Sequence, residues 1–195
     1  TAPGATAAYY VLFEPEVLPD FEQLTSYRVD VVPEVGFAST NGEFATSGRS
    51  DDVGAVFEGF IEVPSAAEYV LSVESDDGSK LYLGDAPIID NDGLHGMVEV
   101  SAEAALLPGR HAVRVEFFER GGGAGCIVRI EGGGLVRQAV PASMWSHPIE
   151  PPCPADVDGS GTVAFDDLLA TVAAWGACPP LGGCPGDVDG SDAVD

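Results

Sequence analysis

The sequence predicts an antiparallel all-β sandwich or barrel over residues 1–147, then a Pro-rich linker at 148–155 and a small loop-and-helix module at 156–195. Three observations carry that prediction: a two-residue apolar period before the linker, turn-forming clusters between the apolar runs, and a change to helical spacing beyond it. A chain of 195 residues has room for one medium domain and one small one.

The β reading rests on particular runs. Tyr69, Leu71 and Val73 alternate with polar neighbours in "EYVLSV", Leu81 and Leu83 do so in "KLYLG", and Val113, Val115 and Phe117 in "HAVRVEF". Between such runs stand "DDGS", "NDGLHG", "LPGR" and "RGGGAG", whose Gly, Asp, Asn and Pro residues suit tight turns. Cys126, inside "CIVRIEG", reads as a small buried hydrophobe. The linker "SHPIEPPCPAD" carries Pro148, Pro151, Pro152 and Pro154, each of which removes a backbone donor and disfavours helix in the residue before it. After it, Phe165, Leu168, Leu169, Val172 and Trp175 share one face of a helix that ends at Gly176. That stripe is read as core.

Charge narrows the partners. Thirty-two acids against eight basic residues give a formal net charge of −24, and Lys80 is the only lysine, which argues against nucleic acid or an anionic membrane. Cations and neutral ligands remain. No apolar run approaches the ~18 residues of a transmembrane helix, so membrane insertion is not expected. The opening "TAPGATAAYY" reads as an internal or mature start. Cys153, Cys178 and Cys184 cluster in a Pro- and Gly-rich region without paired C-x-x-C spacing, which favours an oxidised pair, Cys153 with Cys178, over zinc and implies a secreted or cell-surface protein.

The segment "DVDGSGTVAFDD" has the spacing of a calcium loop. Asp156, Asp158 and Ser160 supply oxygens at alternate positions, Gly161 permits the turn, the Thr162 carbonyl follows, and Asp167 closes from the first turn of the helix. A solvated turn with an N-capping Asp would explain Asp167 but not the alternating oxygens. The EF-hand alternative requires an incoming helix, which "IEPPCPA" forbids. "CPADVDGSGTV" recurs as "CPGDVDGSDAV", where Asp187, Asp189 and Ser191 repeat the first three ligands, while Asp192 stands in the glycine position and the sequence ends before the closing carboxylate. A duplicated calcium loop with a following helix only resembles the dockerin family. The resemblance implies a calcium-stabilised tail that docks to a cohesin-like or cell-surface scaffold.

Asp76 and Asp77, in "VESDDGSKLYLGD", place two like charges side by side where a strand turns. Such a pair costs repulsion unless a cation, a donor set or open water compensates. Three readings compete: a hydrogen-bonded turn, the acid and nucleophile of a glycoside hydrolase, and a calcium site whose open positions take sugar hydroxyls. The run from "FEGFIEVPSAAEYVLSVESDDGSKLYLGD" through "DNDGLHG" to "EFFERGGGAGCIVRIEG", with the opening "AAYYVLFEPEVLPDF", resembles the protective-antigen-type domain. That resemblance implies a β-sandwich or barrel that binds carbohydrate without catalysis, with Asp76 and Asp77 joined by a cis peptide and chelating calcium. The loop that carries an Asn ligand in the family's calcium lectins offers Glu119 here. His95 is a candidate for hydrogen bonding to sugar, Asp90 and Asp92 for supporting its loop, and Tyr82 and Trp145 for stacking on a pyranose face. A spacer or assembly role for the β domain, and a glycoside hydrolase, are the alternatives. No Ser/His/Asp or Cys/His arrangement emerges from three scattered histidines.

Overall fold

A computed structural model describes residues 1–148 and the two short pairs Gly176–Ala177 and Ala193–Val194. The chain divides into two units, Thr1–Pro148 and Ile149–Asp195. In the first unit every strand pairing is antiparallel.

The first unit is built from two sheets. The eight-stranded sheet holds β1 (Ala2–Pro3), β2 (Ala5–Val11), β3 (Arg28–Val32), β5 (Val53–Val63), β7 (Ser79–Leu83), β8 (Ala86–Asn91), β10 (Gly109–Glu119) and β13 (Trp145–His147). Its main path runs β1-β13-β5-β10-β7-β8, with β2 against β5 and β3 on β2. The five-stranded sheet holds β4 (Gly36–Thr40), β6 (Ala67–Asp76), β9 (Val98–Leu106), β11 (Ala124–Gly132) and β12 (Leu135–Ala139), in the order β12-β11-β6-β9 with β4 beside β11. Helix is confined to two single 3-10 turns among the described residues, Phe21–Gln23 and Ala142–Met144.

The two-residue period becomes the core. Val53, Ala55, Phe57, Ile61 and Val63 of β5, with Val113, Val115 and Phe117 of β10, join one buried cluster with Tyr69, Leu71 and Val73 of β6 and Cys126, Val128 and Ile130 of β11. Alternate residues point the other way because a strand's side chains alternate faces. Each such buried Val, Leu, Ile or Phe contributes roughly 1.5–3 kcal/mol relative to exposure. Phe44 stacks on Phe117 at 4.2 Å between ring centroids and meets Phe57 edge-on at 6.2 Å. Cys126 is a free thiol with no exposure, its pKa pushed up to about 12 by burial, so it acts as core. Trp145 is also core: it is 2% exposed and its Nε1 donates to the Val140 carbonyl at 3.2 Å, so it is not open to stack on a sugar.

In the second unit, β14 (Gly176–Ala177) pairs antiparallel with β15 (Ala193–Val194). The expected helix face from Phe165 to Trp175 lies outside the described residues, as do the loop ligands Asp156, Asp158, Ser160, Thr162 and Asp167, the second set Asp187, Asp189 and Ser191, and the Cys153–Cys178 pair. Among the described residues no helix is long and apolar enough to cross a membrane.

Candidate functional site

Three strand ends meet at one edge of the sandwich. Asp76 is the last residue of β6, Asp77 and Gly78 make the crossing from the five-stranded to the eight-stranded sheet, Ser79 opens β7, and Glu119 ends β10. Because β7 pairs with β10 and β6 pairs with β11, the crossing is held from both sheets: Phe117 lies opposite Ser79, and Gly125 lies opposite Asp76. The Phe118 N–H donates to the Gly78 carbonyl at 2.9 Å. Gly78 has to be glycine, since a Cβ there would stand 2.5 Å from the Phe118 ring and 2.8 Å from the Gly93 nitrogen.

The crossing brings three carboxylates together. One oxygen from each of Asp76, Asp77 and Glu119 lies within 4.8 Å of the other two, and the Asp76–Asp77 peptide bond is cis. Asp77 is 7% exposed and is fixed by backbone donors, with His95 N–H on Oδ1 at 3.0 Å and Arg120 N–H on Oδ2 at 3.1 Å. Asp76 is half-buried, and Ser39 Oγ donates to its Oδ2 at 3.5 Å. Burial, then the neighbouring Asp77 charge, raises the Asp76 carboxyl above the usual aspartate range, against the Ser39 hydrogen bond and the His95 charge.

Glu119 is the outlier. It is fully buried, and neither carboxylate oxygen has a hydrogen-bond partner among the described residues; the N–H groups of Gly121 and Asp77 face it without closing a bond. Burial, followed by the charges of Asp77 and Asp76, pushes its pKa up to about 8. A buried carboxylate that closes no hydrogen bond is costly, and each such group in a folded protein calls for an explanation such as an ion. Three hard oxygen donors around one point are what calcium binds, so the residues fit that ion.

A polar chain supports the crossing from below. Asn91, 7% exposed, donates from Nδ2 to Ser75 Oγ at 3.1 Å and to the Val98 carbonyl at 3.0 Å, and Ser75 Oγ meets Ser79 Oγ at 2.7 Å. On the rim, Gly123 packs so tightly that a Cβ would stand 2.8 Å from Ser39 Oγ and 3.0 Å from Asp76 Oδ2. Asn41 Oδ1 lies 3.8 Å from the same point, so the loop after β4 faces the glycine loop across the site.

The sequence-derived candidates Asp76, Asp77 and Glu119 are thus brought together, and His95 lies beside them. His95 contributes its backbone N–H to Asp77, while its ring is taken up by carbonyls, Nδ1 facing Gly96 O at 2.8 Å and Nε2 facing Asn91 O at 2.9 Å. Burial disfavours the imidazolium, but those two carbonyls and then the charges of Asp77 and Asp76 outweigh it and raise the pKa. Asp90 and Asp92 pair with Lys80, at 3.4 and 3.5 Å. Asp92 also holds its own loop, accepting from Gly93 N–H at 2.9 Å. Ser39, Asn41, Ser75 and Asn91 were missed by sequence reasoning. Ser79 and Asn91 sit inside the quoted turn motifs, but Ser39 and Asn41 reach the site only through the pairing of β4 with β11.

Two antiparallel sheets joined by a crossing that carries three carboxylates make this unit a β-sandwich. Residues 3–130 match the PA14 domain, and the chain belongs to that family. Solved structures share the fold. A PA14 sugar-binding domain from an RTX adhesin aligns with a TM-score of 0.65 at 16% identity, covering 76% of this chain and 100% of that one. An anti-sigma factor domain-containing protein from Clostridium clariflavum aligns with a TM-score of 0.64 at 20% identity, over 76% of this chain and 48% of that one. The epithelial adhesin 9 A domain from Candida glabrata, solved in complex with Galb1-3GlcNAc, aligns with a TM-score of 0.60 at 10% identity, over 78% and 93%. The chain spans about half the length of the anti-sigma factor protein. No curated protein matches.

Proposed function

We propose that the β-sandwich is a non-catalytic carbohydrate-binding module of a secreted or cell-surface protein, and that Asp76, Asp77 and Glu119 hold calcium. The observation that carries the reading is the buried Glu119 carboxylate, unpartnered beside two further carboxylates. Calcium bound there would neutralise the cluster and offer its remaining coordination positions to vicinal hydroxyls of a sugar. The protein's own part is to fix Asp77 through the N–H groups of His95 and Arg120, to keep Glu119 dry, and to leave Asp76 as the solvent-reached edge. The rim from Ser39 to Asn41, facing Gly123, then borders the sugar. The RTX adhesin domain is a sugar-binding one and the adhesin 9 domain was solved in complex with a disaccharide, which supports the same ligand class.

The same burial weighs against a glycoside hydrolase. Two working carboxylates must both reach the scissile bond, whereas Asp77 is 7% exposed and Glu119 is fully buried. The deciding experiment is glycan-array binding of the intact chain in calcium and in EGTA, beside an Asp76→Ala, Asp77→Ala double variant. Binding to at least one glycan that is lost both in EGTA and in the double variant supports the proposal; bound glycans none of which depends on calcium or the aspartates overturn it, and no binding to any glycan moves the domain to a spacer role.

For residues 156–195 the proposal rests on sequence: a dockerin-like tail in which Asp156, Asp158, Ser160, the Thr162 carbonyl and Asp167 bind calcium, and which docks to a cohesin-like or surface scaffold. Calcium-induced helix, read by circular dichroism and abolished by Asp158→Ala, is the expected result; a spectrum unchanged by calcium sinks it.

A further inference from the structure

A cleft opens on the outer face of the eight-stranded sheet. Its floor is a two-by-two array of outward side chains, Lys80 and Tyr82 from β7 directly opposite Glu116 and Arg114 of β10. These are the residues between the inward Leu81, Val113, Val115 and Phe117, so the strand period that builds the core also sets the floor. A register shift between Leu81 and Tyr82, where β8 carries one extra residue, seats Tyr82 opposite Pro87.

One wall is the connection from β2 to β3, residues 12–27, whose only regular element is the Phe21–Gln23 turn. It is pinned at several points. Glu14 N–H donates to Asp52 at 2.9 Å, Leu18 N–H donates to Asp92 at 2.8 Å, and Phe21 packs on Tyr10 at 4.9 Å between ring centroids. A long connection held rigidly beside a sheet, rather than folded over it, is the usual setting of a binding surface. The open cleft has a volume of about 560 Å³, within the range of small-ligand pockets.

The floor is organised before any ligand arrives. Tyr82 Oη donates to Glu116 at 3.1 Å, Arg114 Nε donates to the other oxygen of Glu116 at 3.0 Å, Arg114 also pairs with Glu58 at 3.0 Å, and Lys80 lies between Asp90 and Asp92. Acids outnumber bases along the lining, with Asp20, Glu22, Asp85 and Glu116 against Lys80 and Arg114, which disfavours an anion. Fixed planar donors and acceptors around a partly exposed phenol ring suit a neutral polyhydroxylated ligand, whose hydroxyls both donate and accept and whose ring C–H face lies on the aromatic.

We propose that this cleft is a second saccharide-binding site, independent of calcium, with Tyr82 as its stacking platform and Arg114, Glu116 and Lys80 as its hydroxyl partners. None of these residues belongs to the Asp76–Asp77–Glu119 cluster, so a chain carrying both sites would contact one polysaccharide at two places.

The test is amide chemical-shift mapping of the intact ¹⁵N-labelled chain in EGTA, titrated separately with cellotetraose, mannotetraose and xylotetraose. At least one of the three is expected to shift the amides of residues 80–85 and 114–116, with affinity about tenfold weaker in Tyr82→Ala and little changed in Tyr82→Phe. Tyr82 is an outward residue, and the unshifted remainder of the spectrum reports that the fold is intact. No shift at those amides with any of the three, or a titration identical in Tyr82→Ala, overturns the proposal. Shifts confined to residues 76–77 and 121–123 overturn it as well and, arising in EGTA, would also count against calcium as the sugar's anchor at the edge.

Discussion

The edge cluster and the outer cleft are both groups of charged residues on the same sheet, and they solve opposite problems. In the cleft the one carboxylate on the floor, Glu116, has Arg114 at 2.8 Å and Tyr82 at 3.1 Å beside it. At the edge three carboxylates converge, no Lys or Arg forms an ion pair with any of them, and neither carboxylate oxygen of Glu119 closes a hydrogen bond among the described residues. Ordinary folding energetics explain the first arrangement. The second is destabilising as it stands, and a site that gives up stability in this way is where a ligand is expected to restore it.

The strongest way to break that contrast is to remove one fixed edge carboxylate. Asp77→Ala is expected to weaken calcium binding by more than about 100-fold in titration calorimetry, because it deletes a ligand rather than a supporting contact. Affinity within a few-fold of the parent would show that the ion, if bound, sits elsewhere.

Glu119→Gln tests the sign. The Glu119 pKa is raised from its ordinary value to about 8, so the folded state holds its proton more tightly than the unfolded chain does. The resulting stability is fully present below about pH 4.5 and is lost as pH rises toward 8. In EGTA at pH 8 the Gln variant, which carries no charge to bury, is therefore expected to be more stable than the parent by on the order of a few kcal/mol, and the gain should shrink toward pH 5. In saturating calcium the advantage should vanish or reverse. Thermal melts at pH 5 and 8, with and without calcium, read all four conditions; a variant less stable than the parent in EGTA at pH 8 contradicts the argument.

Gly78→Ala perturbs the crossing without touching a charge. Its Cβ would meet the Phe118 ring at 2.5 Å, Gly93 N at 2.8 Å and Asp92 Oδ1 at 3.0 Å, and the Gly93 backbone cannot swing aside as a side chain can. Overpacking of this kind costs about 1–3 kcal/mol, measurable by urea denaturation, and calcium affinity should fall with it because the carboxylates flank the displaced turn.

How much of this was legible in the sequence follows from the range of the interactions. The sandwich was, since alternation in runs such as "EYVLSV" and "HAVRVEF" is a local property and determines which face is buried. Asp76, Asp77 and Glu119 were legible as candidates from a family resemblance, but the burial and isolation of Glu119 were not, because they depend on β5 and β10 pairing along their full length and on the crossing closing over them. Ser39 and Asn41 carried no local signal; they arrive through an edge pairing with β11 that contains a register shift. Tyr82 could be seen to alternate, yet only the β2–β3 connection turns its outward face into a cleft.

The smallest expected effect is also the one that sharpens the comparison most. Lys80 pairs with Asp90 and Asp92 at 3.4 and 3.5 Å with its side chain 26% exposed, so these are solvent-screened contacts, and Lys80→Met should change stability by less than about 1 kcal/mol. If the cleft and the edge are separate sites, that small change is the same in calcium and in EGTA. One physical route could make it differ: Asp92 accepts from Gly93 N–H, and two residues further on His95 N–H holds Asp77. Releasing Asp92 from Lys80 would loosen that segment, and calcium affinity in Lys80→Met would then drop although no ligand had been altered. Equal affinity in parent and variant means the segment is rigid enough to isolate the sites, and a drop of more than about threefold means that the Lys80 contact in the cleft is energetically coupled to the edge.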